Sequence, residues 1–116
     1  MQRPITPRTH GVIDYLSSAL FVAAPRLFGF GGAGATAARA LGAGYSGLSL
    51  GTAYPLGAVR AVPFPAHVAF DTALAPALAV APWALRFARD PRARNFFLAM
   101  AGMSAVVVAL TQRRRA

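Results

Sequence analysis

The sequence predicts an all-α fold: a four-helix transmembrane bundle made of two tandem two-helix hairpins that are related by a pseudo-two-fold axis. Three observations predict it. Charged residues make up only 13% of the 116 residues, about half of what a soluble domain needs to cover its surface. Four apolar segments have the length of short membrane spans, and the two halves of the chain repeat their polar residues in register. We therefore expect a single membrane domain over residues 1–116.

Four apolar segments define the predicted helices. Each is about 17 to 18 residues long, which is the short end of what crosses a bilayer. Thr6 is placed to cap the first helix and Pro7 suits its first turn, where a missing N–H costs nothing. A glycine-rich stretch at 29–34 and a charged turn at 89–92 separate the helices within each hairpin. The approximate segment bounds are 7–24, 36–53, 64–81 and 95–111.

An internal repeat divides the chain in two. His10 and Asp14 fall on His67 and Asp71 when the sequence is shifted by 57 positions without a gap. The first repeat covers about residues 3–56 and the second about 60–113, and each contains two spans. Because an even number of spans gives both copies the same orientation, the expected symmetry axis runs along the membrane normal.

The two His-x-x-x-Asp pairs are the candidate site: His10, Asp14, His67 and Asp71. The spacing of four residues places both side chains of a pair on one helical face. An ionisable group inside a membrane is costly, so we expect both carboxylates to face the bundle interior and to have partners. One interpretation is polar packing between the two halves. The alternatives are a proton, ion or metal site with four nitrogen and oxygen ligands, and a bis-histidine haem.

Small residues at a spacing of four predict where helices approach closely. On the second helix they are Ala43, Gly47 and Gly51, and on the fourth they are Ala101, Ala105 and Ala109. Such stripes let backbones pack in lipid, and we expect them to pack within the bundle, with docking on another chain as the alternative. Tyr54 and Trp83 lie near helix ends and are predicted interface anchors. Tyr45, in the middle of a helix, is interpreted as a packing residue.

Several function classes are disfavoured by the sequence. The arginines lie between the apolar segments, where membrane flanks belong, so the net charge of +9 does not predict a nucleic-acid partner. The chain has no cysteine, which excludes disulfides and thiolate ligands. The stretch from Gly29 to Gly34 fits the letters GxGxxG, but it follows an apolar helix instead of a strand. We find no catalytic constellation and expect a protein that is not an enzyme.

Ala81-Pro82-Trp83, which closes the first helix of the second hairpin, resembles the SPW repeat of small bacterial integral membrane proteins. Ala24-Pro25-Arg26 stands at the matching place of the first hairpin as a degenerate copy. The resemblance implies two transmembrane helices per repeat and a bacterial inner-membrane location. It implies no mechanism.

The function expected from these patterns is that of a non-enzymatic structural or accessory subunit, which packs in the lipid bilayer against itself or a larger membrane complex. The alternative is a small transporter, channel, or metal- or haem-binding protein that uses the His/Asp residues. No cofactor is required by the first interpretation, whereas the second admits a haem or a divalent metal. Both termini are expected on the same side of the membrane, and the dense run Arg113–Arg115 favours the cytoplasm.

Overall fold

The computed structural model describes residues 4–53, 57–58 and 61–111. It contains four long helices, which confirms the predicted fold class: α1 (Pro7–Phe28), α2 (Gly32–Leu50), α3 (Phe64–Ala84) and α4 (Pro91–Leu110). Two short strands, β1 (Thr52–Ala53) and β2 (Val62–Pro63), pair in parallel between the hairpins. α1 packs along α2 and α3 packs along α4, so the chain is two helical hairpins side by side.

The helix ends follow local capping chemistry. Thr6 caps α1 as predicted, because its hydroxyl accepts a hydrogen bond from the Thr9 N–H at 3.2 Å. α4 begins at Pro91 instead of the expected residue 95, because the Asp90 carboxylate accepts from the N–H groups of the first helical turn. α2 begins at Gly32 instead of the expected residue 36, so the glycine-rich stretch contributes residues 32–34 to the helix and 29–31 to the turn.

A two-fold relation between the hairpins extends beyond the helices. Gly29, with a φ of 71°, and Arg86, with a φ of 62°, are 57 positions apart and both adopt the left-handed conformation where α1 and α3 end. The turn that follows is longer in the second hairpin, so α2 and α4 match at an offset of 59. At this offset Thr52 corresponds to Thr111, and both form parallel backbone bridges, with Val62 and Ile5 respectively. The ungapped match therefore holds for α1 and α3 but is wrong for α2 and α4.

The core is divided between an aromatic end and a polar end. The aromatic end lies around the turns within each hairpin, where Phe21 packs edge-on against Phe96 and Phe97 at centroid distances of 5.2 and 6.0 Å. The polar end lies at the starts of α1 and α3, where His10 and His67 are fully buried. Burying polar groups at this depth requires partners for each of them.

Close helix packing does not follow the predicted stripes of small residues. Ala43, Gly47, Ala105 and Ala109 are exposed, Gly51 is half-buried, and only Ala101 is buried. A Cβ added at Gly47 would meet no described atom within 4 Å, whereas one at Gly42 would lie 2.7 Å from the Ser18 carbonyl oxygen. The packing face of α2 is therefore one residue away from the predicted stripe, because the buried residues of α2 include Ala35, Ala38 and Gly42, and Gly42 lies against α1.

Three of the described helices, α1, α3 and α4, are long and apolar enough to cross a membrane by length and composition. α2 is long enough at 19 residues but contains Arg39, two serines and five glycines. α1 and α2 pack along each other, so one face of α2 is removed from contact with lipid. The chain is thus consistent with an integral membrane protein.

Candidate functional site: a buried His/Asp cluster

The four predicted site residues meet at one point. His10 and Asp14 lie on one face of α1, and His67 and Asp71 lie on the corresponding face of α3. All four are buried, and one nitrogen or oxygen atom from each lies within 4.8 Å of the others. The spacing of four residues brings the pair on each helix together, and the two-fold relation brings the helices face to face.

The closest contacts cross between the hairpins. His10 Nε2 lies 2.8 Å from Asp71 Oδ2, and His67 Nε2 lies 3.0 Å from Asp14 Oδ2. The contacts within each helix are longer, at 3.2 Å in α1 and 3.3 Å in α3. Each Nε2 atom therefore faces two carboxylates, one from its own helix and one from the other hairpin.

Tyr45 of α2 completes the cluster, which corrects its interpretation as a packing residue. Its hydroxyl donates to Asp71 Oδ1, and it lies 3.1 Å from Asp14 Oδ1 and 3.0 Å from His67 Nε2. The sequence offered no signal for this role, because a tyrosine in the middle of an apolar helix is as compatible with packing as with hydrogen bonding.

One threonine contacts the outer nitrogen, Nδ1, of each imidazole. Thr52 Oγ lies 2.7 Å from His67 Nδ1, and Thr111 Oγ lies 2.9 Å from His10 Nδ1. Each hydroxyl donates its own proton to a backbone carbonyl, that of Leu48 or Val107, so each oxygen accepts from an Nδ1–H. Nδ1 is therefore protonated in each ring, and Nε2 is the nitrogen directed into the cluster, where its own N–H donates to the carboxylates.

These threonines were missed in the sequence, although a signal for them exists. Both lie at the end of the second apolar segment of a repeat, but they match at an offset of 59, whereas the histidines match at 57. An ungapped comparison therefore hides them.

The predicted interface anchors lie away from the cluster. Trp83 is 58% exposed in the last turn of α3, where an indole can reach the headgroup region of a bilayer. Tyr54 lies outside the described residues.

The fold and the cluster together define a class: a two-hairpin helical membrane protein with a symmetric, buried His/Asp centre. No protein-family model, curated protein or solved structure matches the chain. The resemblance to the SPW repeat accordingly stays a prediction, and the functional argument depends on the geometry of the cluster.

Proposed function

We propose that this chain is a small integral membrane protein that binds a divalent transition-metal ion between α1 and α3. The observation that carries the proposal is the convergence of two Nε2 atoms and two carboxylates within 4.8 Å. Two imidazoles and two carboxylates form a ligand set that suits divalent ions such as Zn²⁺, Fe²⁺ or Co²⁺. The proposal includes the expectation from the sequence that the protein lies in a bacterial inner membrane with both termini on one side.

The distances between ligand atoms support the proposal. The ligand atoms of a tetrahedral site lie about 2.0–2.2 Å from the metal and therefore about 3.4 Å from one another. The four imidazole–carboxylate contacts measure 2.8 to 3.3 Å. An ion needs these four contacts to lengthen by a few tenths of an ångström, and the ligand atoms that lie up to 4.8 Å apart to approach one another.

The outer contacts of the imidazoles provide a second, independent argument. Histidines that bind metals donate their other ring N–H to a fixed acceptor, which orients the ring. His10 and His67 have such acceptors in Thr111 and Thr52. A buried imidazole needs a partner for this N–H in any case, but these partners also fix the orientation of both rings, as a metal site requires.

Charge balance favours a divalent ion. Two carboxylates with two imidazoles protonated on both nitrogens form a cluster of zero net charge. A divalent ion in place of the two Nε2 protons leaves that net charge unchanged. A buried site that stays neutral avoids the cost of placing an uncompensated charge in a membrane.

Haem fits the cluster less well than a metal ion. The carboxylates of Asp14 and Asp71 contact both imidazoles directly, in the region that a porphyrin ring needs. The cavity beside them has a volume of about 40 Å³, whereas pockets for drug-sized ligands measure about 300–1,000 Å³. We therefore expect no haem absorption band from the purified protein.

Metal content tests the proposal directly. Protein purified in detergent without chelators should contain about one divalent ion per chain by inductively coupled plasma mass spectrometry. Chelator treatment should remove it, and Co²⁺ should restore it with visible d–d absorption bands, because a low-symmetry N/O site makes these bands intense. Protein that takes up neither Zn²⁺ nor Co²⁺ after stripping would contradict the proposal.

The outer threonines should tune the affinity. We expect Thr52→Val to weaken Co²⁺ binding about tenfold, the lower end of the effect of losing a contact that orients a metal ligand. Thr72→Val is the matched control, because the Thr72 hydroxyl makes the same bond to the carbonyl one turn earlier, Val68, at 2.8 Å, without a histidine behind it. Equal affinities for the two variants, measured by competition with a chelating dye, would argue against an oriented imidazole.

A subunit role in a larger assembly is the second candidate. Ala43 and Gly47 on α2, and Ala105 and Ala109 on α4, leave flat exposed stripes where another helix can approach. This role is compatible with a metal centre, because the stripes and the cluster use different helix faces.

A further inference from the structure

The two-fold relation is broken beside the carboxylates. Tyr45 of α2 reaches the cluster from the groove between α2 and α3. Its counterpart in α4, at the offset of 59, is Ser104, which faces the groove between α1 and α4. One side of the cluster is thus closed by a phenol, whereas the other has only a small hydroxymethyl group.

Two neighbouring positions are also smaller on the α1/α4 side. Ile13 and Ser17 of α1 correspond, at the offset of 57, to Phe70 and Leu74 of α3. Phe70 packs against the ring of Tyr45 at a centroid distance of 6.4 Å. The pocket of about 230 Å³ on the α2/α3 side is lined by these rings and by neither carboxylate, so they separate it from the cluster. Together with the serine at residue 104, these two positions make three pairs in which the side chain beside α4 is smaller than its counterpart beside α2.

A cavity of about 40 Å³ occupies the place of the missing phenol. It is lined by both carboxylates, the Tyr45 side chain and the hydroxyl-bearing residues Ser17 and Ser104. A water needs about 10–15 Å³ of such volume and two to four polar partners. The cavity meets both conditions, and its outer wall contains Met100 and Met103, whose flexible side chains adapt to irregular contents.

We infer that this cavity, the α1/α4 cavity, binds an exchangeable small ligand that joins the four protein ligands as a fifth ligand of the metal. The inference deepens the proposed function and rests on it. The ligand is water in the resting protein, and a small anion such as azide replaces it from the carboxylate side. Zinc sites can expand to five ligands when a water or a substrate binds, and the α1/α4 cavity is the space beside both carboxylates in which such a ligand fits.

Tyr45 and the α1/α4 cavity then have different roles at the metal centre. The phenol holds the carboxylates in place on one side, through its contacts with Asp14 and Asp71. Ser104 and Ser17 leave room on the other side and offer hydroxyls to whatever binds there. The α1/α4 cavity therefore reaches the carboxylates directly, whereas the pocket on the α2/α3 side reaches the Tyr45 ring.

Azide binding to the Co²⁺-loaded protein tests the inference. Sodium azide should shift the d–d bands of wild-type protein, because a new anionic ligand changes the ligand field. Ser104→Phe fills the cavity with a ring, so it should keep Co²⁺ but weaken azide binding at least tenfold. Ala105→Phe is the matched control, because residue 105 is exposed, and it should respond as wild type does.

Ser17→Leu provides a second variant that places a side chain of the size found at the equivalent residue, Leu74. It should likewise retain Co²⁺ and lose the response to azide. An azide response that is absent in wild type, or equal in wild type and both filled variants, overturns the inference while the metal site stands. Wild-type protein that binds no Co²⁺ overturns the metal site and the inference together.

Discussion

Replacing Asp71 by Asn should lower the affinity for Co²⁺ or Zn²⁺ by at least a hundredfold. The change keeps the shape of the side chain but removes its negative charge, and it places an N–H₂ donor against imidazole nitrogens that must offer a lone pair to the metal. The buried site then holds a divalent ion with one carboxylate instead of two, which leaves it with uncompensated positive charge. Metal content after dialysis and a Co²⁺ titration both measure the effect.

The third acid of the chain provides the matched control. Asp90 caps α4 at the opposite end of the bundle from the cluster, so Asp90→Asn removes one carboxylate without touching the site. Asn is itself a good helix cap, and this variant should bind metal as wild type does. Loss of metal from both variants would indicate that net charge, rather than the cluster, governs binding.

The same pair of variants separates the metal site from a purely architectural role of the cluster. If the His/Asp contacts serve only to join the hairpins, Asp71→Asn should lower the unfolding midpoint or change the mass of the assembly in detergent. A metal centre instead predicts loss of the ion from a protein that keeps its helical circular dichroism and its mass. In addition, bound metal should raise the stability of wild type by about 2.7 kcal/mol at a concentration one hundred times Kd.

The cluster was predictable from the sequence because its signal is strong and local. Two His-x-x-x-Asp pairs in register, in a chain with only three acids, require no knowledge of tertiary structure to be placed on two equivalent helices. The hairpins were predictable for the same reason, since long apolar segments separated by glycine and proline have few other arrangements in lipid.

The partners of the cluster could not be predicted, because they depend on how the second helix of each hairpin is rotated. A turn of 29–31 in one hairpin and a longer one in the other change the repeat offset from 57 to 59. A shift of two residues turns a helix by about 200°. The turn lengths therefore decide whether Tyr45, Thr52 and Ser104 face the cluster. An ungapped comparison of the two halves ignores the difference between the turns.

The predicted stripes of small residues failed for a related reason. A helix rich in alanine and glycine presents several stripes with a spacing of four, and each satisfies the pattern equally well. α2 contains Gly42 beside the predicted Ala43, and it is Gly42 that faces α1. Composition identifies a helix that can be approached closely, but only tertiary structure identifies the face.

Replacing Gly42 by Leu should destabilise the protein by about 3 kcal/mol, the upper end of the cost of overpacking. A Cβ at this residue would lie 2.7 Å from the Ser18 carbonyl oxygen and 3.0 Å from the Val22 nitrogen. These are backbone atoms of α1 that cannot rotate away, so the two helices must separate. Unfolding in a denaturing detergent series, followed by far-ultraviolet circular dichroism, measures the loss.

Gly44→Leu is the control on the same helix, because a Cβ at Gly44 would meet no described atom within 4 Å. Glycine in a helix interior costs about 0.5–1 kcal/mol relative to alanine, so this variant should match or exceed wild-type stability. A separation of α1 from α2 also withdraws Tyr45 from the carboxylates, since Tyr45 lies one turn beyond Gly42. Gly42→Leu should therefore weaken Co²⁺ binding as well, and a variant that is destabilised but binds the ion with unchanged affinity would show that Tyr45 is not part of the centre.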